Sequence, residues 1–105
     1  MTASSPADLA VAFRSFARRA SEARAAARGA PERLADAERE LATVDSIVAS
    51  AAQRLGVAAD GAAIAERIEA TPASRWDDDT LEALRSAALG AGAALRRADE
   101  AAAGG

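Results

Sequence analysis

Residues 34–55 read LADAERELATVDSIVASAAQRL, and in that stretch Leu34, Ala37, Leu41, Val44, Val48, Ala51 and Leu55 stand at alternating steps of three and four. Such spacing brings those seven residues to one side of an α-helix and leaves Asp36, Glu38, Asp45 and Gln53 on the others, so it predicts a helix with a single apolar seam. The same pattern recurs downstream in Leu81, Leu84, Ala88, Ala91, Leu95 and Ala98. It recurs upstream, with opposite phase, in Leu9, Phe13, Phe16, Ala20, Ala23 and Ala27. Three seamed helices in a chain of 105 residues predict an all-α fold, a small antiparallel helical bundle of three long helices and one short one.

Local signals place the ends. Ser5-Pro6-Ala7-Asp8 supplies a cap, a first-turn proline and a capping-box acid. Gly29 and Pro31 separate the first two helices by a connection short enough to predict an antiparallel hairpin. Gly56 stops the second helix, and Val57 can fold back over its last turn. Asp60 caps a short helix carrying Ile64 and Ile68, which Thr71-Pro72 ends. Of the three aspartates at 77–79, Asp77 is preferred as the last cap because Trp76 and Leu81 then form a hydrophobic staple. Helices are expected near 6–28, 32–55, 61–70 and 78–101, in one domain over 6–101 with frayed ends at 1–5 and 102–105. The expected core holds Leu9, Phe13, Phe16, Leu34, Leu41, Val44, Val48, Leu55, Ile64, Ile68, Leu81, Leu84 and Leu95.

Composition limits the chemistry. Cysteine, histidine, lysine, asparagine and tyrosine are absent. No disulfide, thiolate or imidazole metal site, or histidine-dependent triad can be built, and serines lack their usual activating partners. No catalytic residue, cofactor site or metal site is expected. The aspartate triplet lacks the alternate spacing and distal glutamate of a calcium loop and is read as helix capping. Arg14, Arg18, Arg24 and Arg28 share an arc of the first helix, with Arg19 nearby. The net charge of −3 and the lack of interleaved aromatics make that arc a solvated face, partly paired with acids, rather than a nucleic-acid stripe. No apolar run approaches the length of a membrane span, and no basic, apolar leader is visible at the start, so a cytoplasmic location is expected.

The remaining unusual stretch is Ser86-Ala87-Ala88-Leu89-Gly90-Ala91-Gly92-Ala93-Ala94. Glycine inside a helix costs about 1 kcal/mol relative to alanine, which suggests a gain through close approach of another helix, for instance along Ala88 and Gly92. Leu89 lies about 130° from the seam of its helix and Val11 about 160° from its own. Leu89, Gly90, Ala93 and Val11 are therefore the candidate partner-binding residues. The expected function is a non-enzymatic protein–protein interaction module, an adaptor or subunit that binds a protein partner or forms a homo-oligomer, with no nucleic acid and no membrane involved. In size and helical-hairpin character the chain is similar to the WXG100/ESAT-6-like proteins, which implies an alternative, a small effector exported without a signal peptide. Their Trp-x-Gly turn has no counterpart, since the turn here reads Arg28-Gly29-Ala30-Pro31 and Trp76 precedes the last helix. A DNA-associated regulator is a second alternative, suggested by the order of Gly56, Ile64 and Ile68. It is disfavoured because residues 62–67 offer few side chains able to reach base edges.

Overall fold

The caps expected at Ser5, Asp60 and Asp77 and the stop at Gly56 are formed in the computed structural model, which describes residues 5–104, whereas the first helix ends at Ala26, two residues before its expected end. The Ser5 hydroxyl accepts from the Asp8 backbone while the Asp8 carboxylate accepts from the Ser5 backbone, and together they start α1 (Pro6–Ala26). Pro31 opens α2 (Pro31–Leu55), which ends at Gly56 with φ +69°. The Val57 N–H reaches back to the Ala52 carbonyl there, closing the last turn. Asp60 caps α3 (Gly61–Ala70) through the Ala62 N–H. A single 3-10 turn, Ala73–Arg75, leads to α4 (Asp78–Ala103), whose cap is Asp77. No strand occurs among the described residues. The expected fraying at residues 1–4 and 105 lies outside them. α4 continues two residues past its expected end because Ala102 is buried with Ala27 and Ala37 in a small second cluster.

The main core joins all four helices. Leu9, Phe13 and Phe16 from α1 meet Leu41, Val44 and Val48 from α2, Ile64 and Ile68 from α3, and Leu84 and Leu95 from α4. The Phe13 and Phe16 rings lie edge to face with centroids 5.3 Å apart, the arrangement that ring quadrupoles favour. Leu34, Leu55 and Leu81, expected in the core, are only half-buried. They sit near helix ends, where the neighbouring helix no longer covers the seam.

The pairing of helices differs from the expected hairpin. The turn between α1 and α2 is short, but the two helices share little surface. α2 packs chiefly on α4, and α1 packs on α3 and α4. The reason is side-chain size. α4 buries Ala91, Ala94, Ala98 and Ala102 beside only two leucines, so it can lie close to α1 and α2 together. α1 presents its two phenylalanines, and α3 fills the space beside them. Contact of α1 with α2 is found beside their turn, where Leu34 packs on Ala27 and Ala37 and Arg24 pairs with Glu38.

The tightest glycine among the described residues is Gly61, which opens α3. A Cβ there would come 2.2 Å from the Phe13 carbonyl oxygen. α3 therefore seats its first turn directly on the backbone of α1. At its other side Arg67 donates to the Leu55 carbonyl at 2.9 Å, setting a cation at the negative end of α2.

Candidate interaction surface

Every large apolar side chain among the described residues is at least partly covered except Val11, 69% exposed, and Leu89, 76% exposed. The structure does not bring the two together. Val11 shares a shallow depression with Arg14, Ser15 and Arg18, all on α1. Leu89 stands on the outer side of α4, midway along it.

Around Leu89 the four small residues part company. Gly90 faces inward: a Cβ there would lie 3.2 Å from Ile47 Cδ1. Its missing side chain is filled by α2 of the same molecule, so the helix approach expected along Ala88 and Gly92 occurs at Gly90 instead. Gly92 has nothing within 4 Å of the same position and lies open. Ala93 is half-buried and Ser86 exposed. Leu89, Ser86, Gly92 and Ala93 thus make an outer strip with one large apolar side chain and little polar cover.

Beside that strip runs a groove of about 400 Å³ between α2 and α4. Ile47, Ala51 and Leu84 give it an apolar floor, and Ser50, Arg54 and Ser86 edge it. Ile47 was not among the expected core residues. The signal was present, since Ile47 adjoins Val44, Val48 and Ala51 on the helix surface and widens the seam into the broader stripe typical of a bundle.

Two of the arginines of α1, Arg14 and Arg24, are engaged within the fold. Arg14 grips Glu69 of α3 with two hydrogen bonds, 2.7 and 2.9 Å long. That side-chain contact holds the Glu69 carboxyl below its ordinary range and the Arg14 guanidinium above its own. Arg24 pairs with Glu38. Arg97 of α4 likewise pairs with Glu40 of α2 at 2.8 Å. Arg14 and Arg24 of the arc therefore tie α1 to α3 and α2.

Asp77 spends its carboxylate on Thr80, taking the backbone N–H at 2.7 Å and the hydroxyl at 2.9 Å. Those two hydrogen bonds, the backbone one foremost, lower its pKa. Trp76 packs on the core edge, with its indole N–H buried and without a partner among the described residues, beside a second groove of about 320 Å³ that includes Ile68, Glu69 and Thr71. The carboxylate in that groove, Glu69, is already committed to Arg14. Among the described residues no cluster of three metal-ligating side chains occurs, and no helix is long and apolar enough to cross a membrane. Compared with known proteins, the chain matches no protein-family model, no curated protein and no solved structure.

Proposed function

We propose that this chain is a non-enzymatic protein–protein interaction module whose contact surface is the outer face of α4. The observation that carries the reading is Leu89, 76% exposed in a bundle that at least partly covers every other large apolar side chain among the described residues apart from Val11. Exposed single aliphatics are ordinary on protein surfaces. Here the leucine stands beside Ser86, Gly92 and Ala93, small residues over which a second backbone can approach, with Arg85 the one long side chain among its neighbours one turn away. The adjoining α2–α4 groove extends the same surface with apolar lining. Such a strip fits the helix-in-groove type of recognition, in which one helix face supplies an apolar anchor.

The test introduces bulk and charge where contact is proposed. Ala93→Arg and Leu89→Asp keep the helical circular dichroism and the melting temperature but lose association, read by light scattering and by capture from the native host. Leu89→Asp is the cleaner variant, since its side chain is outside the fold. Association of both variants at the wild-type level would overturn the proposed surface. A wild-type protein that is monomeric and captures nothing would overturn the module reading itself.

A further inference from the structure

On the outer side of α4, Glu82, Leu89 and Arg96 follow one another at steps of seven. At 100° per residue the two charged residues lie about 20° to either side of Leu89, and about 10 Å from it along the axis in opposite directions. All three are exposed. Among the described residues Arg96 makes no ion pair, and Glu82 meets Arg85 of its own helix at 4.0 Å. One stripe therefore carries an acid, a leucine and a base, evenly spaced.

A stripe of this kind is complementary to itself only when reversed. Turned about a two-fold axis through Leu89, Glu82 comes opposite Arg96 of the second copy, and Arg96 opposite its Glu82. In the same operation Leu89 meets Leu89, with Ser86 facing Gly92 and Arg85 facing Ala93, a long side chain against a short one. A parallel arrangement in register would instead set Glu82 on Glu82 and Arg96 on Arg96. Two-fold contacts need this self-complementarity, in which each residue meets its counterpart's partner.

We infer that the outer face of α4 pairs antiparallel with the same face of a second copy of this chain, centred on Leu89 and closed by two Glu82–Arg96 ion pairs. The inference rests on the proposed contact surface and names its occupant. Small residues flanking Leu89 let the two helices cross closely. A shallow crossing of about 20° keeps each Glu82 within reach of the opposite Arg96, while Asp78 and Glu100, about 16 Å from the centre, lie further apart and are screened by solvent. One helix face buries less than the roughly 1,000 Å² of a durable interface, so the dimer is transient and concentration-dependent.

The test is a charge swap followed by sedimentation over a protein range of about 10 μM to 1 mM, where such weak association is read. Wild type dimerises across this range. Glu82→Arg alone and Arg96→Glu alone each weaken self-association by roughly tenfold, because both ion pairs become like-charge pairs. Both sites are on the surface, and circular dichroism checks that the helices persist. Mixed in equal amounts, the two single variants form a heterodimer as strong as wild type, since every Glu then meets an Arg. The double variant Glu82→Arg/Arg96→Glu also recovers. Wild type that stays monomeric at 1 mM, or a mixture that does not recover, would overturn the second copy as occupant. Capture of a different protein that is lost in Leu89→Asp would then leave the contact surface standing with another partner.

Discussion

Two kinds of residue decide whether this chain folds, and they act in opposite ways. Leu41 is 1% exposed and touches the core from the middle of α2. Leu41→Ala removes three carbons and leaves a cavity, so it should destabilise by about 2–5 kcal/mol. Urea unfolding checks this; an unchanged midpoint would mean that the α2 seam does not hold the bundle together. Gly61 acts through what it lacks. Any Cβ at this position meets the Phe13 carbonyl, backbone that cannot swing aside, so Gly61→Ala should cost about 1–3 kcal/mol through overpacking, despite alanine's better helix propensity. Gly92→Ala is the control. Its Cβ enters open space in mid-helix, and the variant should be more stable by about 0.5–1 kcal/mol. If both glycine variants shift the midpoint in the same direction, the contact between α3 and α1 is not as tight as described.

The helices depend on their caps, and one cap makes stability respond to pH. The Asp77 carboxylate, hydrogen-bonded by Thr80, titrates below its ordinary value in the folded chain. Folding therefore favours its charged form. Its contribution is complete above the unfolded pKa near about 4 and is lost as pH falls through the lower folded value. Glu69, lowered by Arg14, responds with the same sign. Melting temperature should accordingly fall on acidification below about pH 5. Asp77→Asn keeps a hydrogen-bond acceptor at the cap but cannot titrate, so its melting temperature should fall less steeply over that range. Parallel curves for the variant and wild type would remove Asp77 from the cause. Ionic strength offers a separate check, since exposed pairs such as Arg14–Glu69 are screened by salt whereas the cap hydrogen bond is short-range.

At the scale of the molecule, shape explains why a helix face is left outside. The bundle measures 48 × 31 × 17 Å, and its radius of gyration of 14.4 Å exceeds the roughly 13 Å of a rounder domain of this length. A body this thin covers each long helix from a limited number of sides. The buried positions of α4 are taken up by α1 and α2, and the Leu89 stripe faces away from both. Replacing Leu89 should therefore alter association without altering the fold, whereas Leu41 does the reverse. A Leu89→Asp variant that melts well below wild type would show that the residue belongs to the core after all.

The periodic seams, Ser5, Asp60 and Asp77 as caps, and Gly56 as a left-handed stop were legible from neighbouring residues alone, because helix formation and capping act over three or four positions. The exposed leucine was legible for the same reason, as an angle on a helical wheel. Which helices pair was not. The short link between α1 and α2 suggested a hairpin, but partners are chosen by the fit of side-chain sizes, and α4 offers alanines where α1 and α2 both need a close neighbour. Nor could periodicity tell Gly61, Gly90 and Gly92 apart. The first is pressed on a backbone, the second filled by Ile47 and the third open, a difference that exists only once segments distant in sequence are brought within a few ångströms.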